Sequence, residues 1–418
     1  RHFANWHDEY RSKLCSVEDA AARIQSDDRI AMSGGTSCPP GFSIALGKRA
    51  GEVKNVLLSM GYTMGLYDLM KPEHSGSFHI ESVYVGPVER VCMNWGTAQY
   101  VPIHLGDIPQ YCRSKNFNRA ATVVTEPDEN GYMNRSCFAA FLDDKTISDA
   151  ETVIVEVNRH SPWINSDDFK IHVSEVDCII ENHQPLFEIP EVEISDAERL
   201  IAENLVDLVP DGSTIHLGFG GMGKEVTDLL QNRKDIGIHS EIITPSIRNL
   251  VDSGVANGAR KSFMPGVVVG SFCAGTSEFY DYIHRNENYY FAEIGWVNDP
   301  LTIAQNDNLV SINNALLMDL TGQVASESIG FRQYSGMGSQ MNYLLASRFA
   351  RNGRSVMTLT STYRDREGNL KSKIMVDFPP CTMVSAGRND IHYVVTEWGV
   401  ADLKFKSGRD RVKQMIAI

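Results

Sequence analysis

The residues of this 418-residue chain best suited to chemistry are one carboxylate and two glycine-rich turns. The first turn, Gly218-Phe219-Gly220-Gly221-Met222-Gly223, follows the apolar run Thr214-Ile215-His216-Leu217 and precedes helical spacing over 225–230. Gly218-x-Gly220-x-x-Gly223 has the spacing that brings backbone close to a pyrophosphate at a helix start. Glu241 lies 18 residues after Gly223, near the place of a ribose-binding acid, so one reading is an NAD-dependent oxidoreductase. Against it, the turn lies mid-chain, Gly221 adds a glycine the motif does not need, and no hydride-transfer partner stands out. A second reading is a tight strand-to-helix turn that binds nothing. The third is acyl transfer, in which a carboxylate attacks a thioester. That chemistry needs a glutamate at a strand end, backbone N–H donors for the oxyanion, and a site for the nucleotide end of coenzyme A. Glu241 and the two turns, the second being Tyr334-Ser335-Gly336-Met337-Gly338-Ser339-Gln340, supply the first two. His239, two residues earlier, shares a strand face with Glu241 and suits packing better than catalysis.

These residues need a scaffold that ends strands at one edge. Asp28 to Met32 reads as a strand running into Ser33-Gly34-Gly35-Thr36, and Pro39-Pro40 then marks a helix start. Phe42 to Ala50 continues as helix and Val53 to Met60 as the next strand, a β-turn-α-β order that implies a parallel sheet. Strand-like runs recur at 80–86, 120–125, 152–157 and 178–180, and residues 185–190 read as a Pro-bounded linker. After a helix over 196–208 the plan repeats, with 212–218 lying over 28–35. Val157-Asn158 likewise corresponds to Val297-Asn298, and 176–182 to 391–397. The expected fold is α/β, two related open, mainly parallel domains over 1–191 and 192–418. Ligand is expected at the carboxyl ends of the strands.

Composition narrows the partners. A net charge of −14 argues against nucleic acid, which needs a basic face. Eight cysteines with no C-x-x-C pair argue against a zinc site or disulfide framework and for a reducing compartment, so a cytoplasmic location is expected. No apolar run is long enough to span a bilayer. Both chain ends read as trimmed or disordered. Lys224, Arg260 and Lys261 are candidates for neutralising phosphates, with surface solvation as the default for each. Arg332 is a candidate for meeting a substrate carboxylate, and Glu397 suits a structural role as well as a site role.

An ordered set of motifs resembles the family I coenzyme A transferases, in the branch of acetyl-CoA hydrolase/transferases and 4-hydroxybutyrate CoA-transferases. In the first half the set is Pro127-Asp128-Glu129-Asn130-Gly131-Tyr132, Val155-Glu156-Val157-Asn158 and Pro185-Leu186-x-Glu188. In the second it is Gly237-Ile238-His239-Ser240-Glu241, Val297-Asn298-Asp299-Pro300, the run from Asp319 to Ser328, Ser335-Gly336-x-Gly338-Ser339-Gln340 and Val394 to Ala401. The resemblance covers nearly the whole chain. It implies a ping-pong enzyme in which Glu241 carries a glutamyl-CoA thioester and Asn298 is a further oxyanion donor. Gly336, Gly338 and Gln340 then lie in the loop that contacts coenzyme A, and Gly338 helps hold the oxyanion. Gly218, Gly220 and Gly221 form the matching wall. Coenzyme A is implied as substrate, with no metal and no NAD. Acyl-CoA and small carboxylates are the implied partners, and a homodimer or homotetramer the implied assembly.

The chain departs from the family pattern in three places: Ser339 stands where Gly is usual, Asn342 where Asp is usual, and the step Met222-Gly223-Lys224 where an apolar-Pro-Asn or apolar-Pro-Asp step is common. The overall pattern is similar to a subgroup of pathogenic bacteria that resembles itaconate CoA-transferases, which implies succinyl-CoA as donor and itaconate as acceptor. Acceptors such as 4-hydroxybutyrate or butyrate fit the wider branch. An acyl-CoA hydrolase with the same nucleophile, and a CoA-binding protein without catalysis, are the competing expectations beside the NAD enzyme.

Overall fold

The computed structural model describes residues 5–189, 193–218 and 223–418. Gly220 and Gly221, expected in the active-site wall, lie outside the described residues, as do Phe219 and Met222. The chain divides into two compact units, Arg1–Ile189 with Ser271–Gly295, and Pro190–Gly270 with Trp296–Ile418.

The first unit is built on seven strands: β1 Arg29–Met32, β2 Val56–Met60, β3 Phe78–Ser82, β4 Ala98–Tyr100, β5 Arg119–Val124, β6 Thr152–Val157 and β7 Cys178–Glu181. They pair in the order β4-β3-β2-β1-β5-β6-β7, and every pairing is parallel. β5 and β6 are buried along nearly their whole length, which is why their sequences read as continuous apolar runs rather than alternating ones. Strand order reverses beside β1, where the chain enters Ser33-Gly34-Gly35. The Pro39-Pro40 start becomes the helix Pro40–Gly47. Its first amides are satisfied from the sheet: the Glu156 carboxylate accepts from Gly41 N (3.2 Å) and Phe42 N (3.0 Å). Phe42, Leu46, Ile30, Leu58, Phe78 and Ile180 fill the core beneath it.

Residues 271–295 pack with this first unit, although a split at 191/192 places them in the second. Tyr280 OH donates to the Phe187 carbonyl (2.9 Å), and Ile189 N donates to the Gly275 carbonyl (2.8 Å). Phe272 packs on Phe138 and Phe141, and Cys273 lies within thiol hydrogen-bonding reach of Cys137. Long-range aromatic packing of this kind leaves no local sequence pattern.

The second unit has a six-stranded sheet: β8 Thr214–Leu217, β9 Gly237–Ile238, β10 Leu309–Asn314, β11 Arg354–Thr358, β12 Tyr393–Thr396 and β13 Gly399–Asp402. The order is β9-β8-β10-β11-β12-β13, parallel except for the β12–β13 edge pair. A capping box of Ser195 and Glu198 starts the helix Asp196–Val206. β8 lies where strand order reverses, with β9 on one side and β10 on the other. Such switch points open a crevice at the carboxyl ends of the strands. The fold is therefore α/β with mainly parallel sheets, as the β-turn-α-β pattern implies. Among the described residues no helix is long and apolar enough to cross a membrane.

Candidate active site

Glu241 owes its position to a strand that stops early. Thr214 pairs with Gly237 and Ile215 with Ile238, and His239 N still donates to the Ile215 carbonyl (3.1 Å). At Ser240 the side chain takes over from the backbone. Its hydroxyl donates to the Leu217 carbonyl (3.2 Å) and accepts from Leu217 N (3.3 Å), while Ser240 N turns to the Val269 carbonyl (3.0 Å). The chain bends at Glu241 and resumes as Ile242–Ile243. The sequence run 237–243 is thus two short strands with the carboxylate at the bend between them, rather than one strand ending on it.

The Glu241 side chain is 7 % exposed. Asn298 Nδ2 donates to its Oε2 at 3.4 Å, and the Ser339 hydroxyl is a second hydrogen-bond partner. Burial raises the carboxyl to about 7, against the lowering pull of Ser339 and Asn298. Near neutral pH the group is thus poised between acid and carboxylate, and a bare carboxylate in this dry setting is a reactive nucleophile.

The second glycine turn leads into the helix Gln340–Phe349, with Ser339 as its N-cap residue. Gly338 has φ +62°, a left-handed conformation that a side chain disfavours, and both Gly336 and Gly338 are buried. The positive end of that helix therefore faces the carboxylate that Ser339 touches. The Gln340 side chain serves the scaffold. Its Nε2 donates to the Asn314 carbonyl (3.0 Å) at the end of β10, and its Oε1 accepts from Ser326 Oγ (2.9 Å). Gly218 N donates to the Ile312 carbonyl (2.9 Å), and a Cβ on Gly218 would stand 3.1 Å from that oxygen. Gly218 thus keeps the start of the first turn tight against β10.

Beneath Glu241 lies a polar layer of which the sequence pattern marks His239 alone, as a packing residue. His216, His239, Asn306 and Tyr343 have no exposed surface. The His216 and Tyr343 rings stack at 3.6 Å, and His239 meets Tyr343 edge-on at 6.3 Å. Burial holds both histidines neutral, each pushed down to about 3. Both ring nitrogens of His216, the Tyr343 hydroxyl and Asn342 Oδ1 have no hydrogen-bond partner among the described residues. Tyr343 lies four residues after Ser339, so helical spacing stacks it one turn below the N-cap. That spacing is the one signal in the sequence that links it to the turn.

Of the candidate cations, Lys261 is buried rather than solvated. Its Nζ donates to the Val267 carbonyl (2.8 Å), and burial pushes it down to about 7. Lys224 pairs with Asp228 at 2.6 Å, Arg260 reaches the Asp211 carbonyl at 3.4 Å, and exposed Arg332 lies over the Tyr334 ring at 4.9 Å. Glu397 accepts from Ser361 N (2.8 Å) and Ser361 Oγ (2.6 Å), a structural contact. Among the described residues no group of three or more His, Cys, Asp or Glu is placed to hold a metal ion.

The arrangement of a buried carboxylate, a side-chain amide on it and a glycine turn at a helix start is suited to acyl transfer. Comparison with known proteins agrees at the level of the whole chain. The acetyl-CoA hydrolase/transferase N-terminal domain matches residues 3–190, and the C-terminal domain of the same family matches residues 275–418. The 4-hydroxybutyrate coenzyme A transferase of Clostridium kluyveri is 34 % identical over 99 % of this chain and 96 % of its own length. The succinyl-CoA:cyclohexane-1-carboxylate CoA transferase of Geobacter metallireducens is 34 % identical over 98 % of this chain and 93 % of its own. The crystal structure of RipA from Yersinia pestis matches with a TM-score of 0.91 at 30 % identity, covering 99 % of this chain and 95 % of that one. The chain therefore belongs to the acetyl-CoA hydrolase/transferase family and is an enzyme of the CoA-transferase class.

Proposed function

We propose that the enzyme moves coenzyme A from an acyl-CoA to a free small carboxylic acid by a ping-pong route through Glu241. The observation that carries this reading is the buried Glu241 carboxyl, raised to about 7 and held by Asn298 at 3.4 Å. In the first step a Glu241 carboxylate oxygen attacks the thioester carbonyl. The oxyanion that forms is held by Asn298 Nδ2 and by backbone N–H of the Gly336–Gly338 turn. The C–S bond breaks, leaving a glutamyl–acyl anhydride and a CoA thiolate. The thiolate then attacks the glutamyl carbonyl and expels the first acid as its carboxylate, giving glutamyl-CoA. The acceptor carboxylate repeats these steps in reverse and leaves as the new acyl-CoA.

One thioester replaces another, so the chemistry is near thermoneutral, and the protein's main tasks are to hold the oxyanion and exclude water. The relatives' names support a donor such as succinyl-CoA and an acceptor such as 4-hydroxybutyrate. Itaconate, butyrate and acetyl-CoA are the further candidates to assay. A dinucleotide reading fits less well, because a ribose-binding acid must face its ligand whereas Glu241 is buried and shared with two neighbours.

The test is to mix the enzyme with succinyl-CoA, reduce with borohydride and map the peptides. Glutamyl-CoA is reduced to the alcohol, so the Glu241 peptide loses one oxygen and gains two hydrogens, and activity is lost. An unmodified Glu241 in folded, CoA-binding protein sinks the reading. The family name also covers hydrolases. Free CoA released without any acceptor acid, at the rate seen with one, assigns the chain to that branch.

A further inference from the structure

His239 makes contacts that the steps above do not use. Its Nε2 lies 2.9 Å from the Val297 carbonyl oxygen, and its Nδ1 lies 3.2 Å from Asn306 Nδ2. The carbonyl can only accept, so Nε2 carries the hydrogen. Asn306 Nδ2 also donates to the Ile303 carbonyl (3.0 Å), which fixes the amide with its nitrogen toward the ring, so Nδ1 is bare. One neutral tautomer satisfies both contacts. His239 thus grips both ends of the segment 297–306 from a position two residues before Glu241. Its own backbone is tied to β8 through the Ile215 carbonyl at 3.1 Å.

Asn298 is the residue that needs such a grip. Its amide bond to Glu241 is long at 3.4 Å, and its Oδ1 has no partner among the described residues. That one long bond holds the end of the side chain loosely, so the backbone that carries it must set much of where the amide points. The Val297 carbonyl belongs to the peptide that joins Val297 to Asn298, and His239 holds that oxygen.

We infer that His239 is a positioning residue: by donating from Nε2 to the Val297 carbonyl, it keeps the Asn298 amide in register with the nucleophile two residues further along its own chain segment. The inference rests on the reading of Glu241 as nucleophile and Asn298 as oxyanion donor. It makes no use of His239 as an acid or base, and the neutral ring, with its pKa near 3, fits that.

The experiment measures how fast Glu241 becomes borohydride-sensitive after mixing with succinyl-CoA, together with steady-state kcat and KM. The proteins compared are the wild type, His239→Leu, His239→Gln, Asn298→Ala and the double variant His239→Leu/Asn298→Ala. His239→Leu is expected to slow labelling and kcat by about 10- to 100-fold with KM for the acyl-CoA little changed, the scale of a misplaced catalytic group. His239→Gln, whose side-chain NH2 can still donate to Val297, is expected to recover most of the rate with the wild-type pH profile. The double variant is expected to be no slower than Asn298→Ala alone, because both changes disable one device.

Full additivity of the two changes, or a wild-type labelling rate in folded His239→Leu, overturns the inference. So does a pH limb that vanishes in His239→Gln. If His239→Leu does not fold, His239→Asn carries the test: its shorter amide falls short of Val297, so it must be slow where His239→Gln is fast, and equal rates overturn the inference. Absence of any adduct in the wild type overturns the mechanism on which the inference rests. An adduct in the wild type, formed equally fast in His239→Leu, overturns the inference alone.

Discussion

Replacing Glu241 by Gln is expected to stabilise the protein while abolishing transfer, and the gain must depend on pH. The folded carboxyl is raised from 4.5 to about 7 because burial disfavours its charge. Below pH 4.5 the group is protonated whether the chain is folded or not, and it costs nothing. Between pH 4.5 and 7 the unfolded chain gives up the proton first, so the folded state loses stability as pH rises. Above pH 7 the full penalty applies. A shift of 2.5 pH units, each worth about 1.4 kcal/mol, sets that penalty at about 3 kcal/mol at pH 8 and under about 1 kcal/mol at pH 5. Gln keeps the shape and the hydrogen-bonding ends without the charge, so Glu241→Gln recovers the difference. In a thermal melt that is a rise in Tm of roughly 3 °C if the whole chain melts together, or roughly 7 °C if the second unit melts alone. Scanning calorimetry of both proteins at pH 5 and pH 8 reads it directly. A Tm difference that is the same at both pH values refutes the burial argument. A variant less stable than the wild type at pH 8 refutes it as well.

Ser339→Ala removes a hydrogen bond to the ionised Glu241 but no helix cap, since the Ser339 side chain makes no capping bond. The acid limb of kcat/KM is expected to move up by about one pH unit, with activity recovering at pH 9. An unmoved limb in a pH–rate profile removes Ser339 from the account. Gly338→Ala forces a side chain into φ +62° and is expected to cost about 1–2 kcal/mol in denaturant unfolding along with much of kcat. Gly338→Asn, which tolerates that conformation, is expected to lose less stability, and equal losses would count against a backbone cause.

Much of the scaffold was legible because its strands carry their own signatures. β1, β6, β7 and β8 lie within a residue of the runs that turn residues and apolar stretches delimit. The strand-like run 80–86 starts two residues after β3 begins at Phe78 and ends four residues after it stops at Ser82, because an exposed His79 interrupts the apolar pattern at its start. The order of motifs picks out Glu241 together with Asn298 and the Gly336–Gly338 turn, whereas the stacked rings packed beneath them leave no such mark. His216 and Tyr343 are 127 residues apart, and no periodicity in the sequence announces that their rings stack. Ser339 drew notice as a departure from a family pattern, without a hint that its hydroxyl touches the carboxylate. For Lys261, a phosphate candidate, surface solvation is the default expectation because lysine is nearly always exposed, and only the packing around Gly237 shows it buried. Asn158 and Asn298 hold matching places in the two halves and have different duties. Asn158 closes a turn through Gln184 and His160, and Asn298 reaches Glu241.

The placement of residues 271–295 with the first unit has a bearing on how the chain is made. A ribosome delivers Ile189 long before it delivers Phe272, Tyr280 or Phe291, yet the first unit needs those aromatic rings to close its core. At about 5–20 residues per second, roughly 5 to 20 s of synthesis separate Ile189 from Gly295. During that interval the nascent first unit carries exposed apolar surface around Phe138 and Phe141. Strands β8 and β9 emerge meanwhile, without the β10 and β11 that complete their sheet. Synthesis of the first unit therefore cannot finish before synthesis of the second has begun. A single cut anywhere in the chain yields no fragment that carries a whole first unit without part of the second.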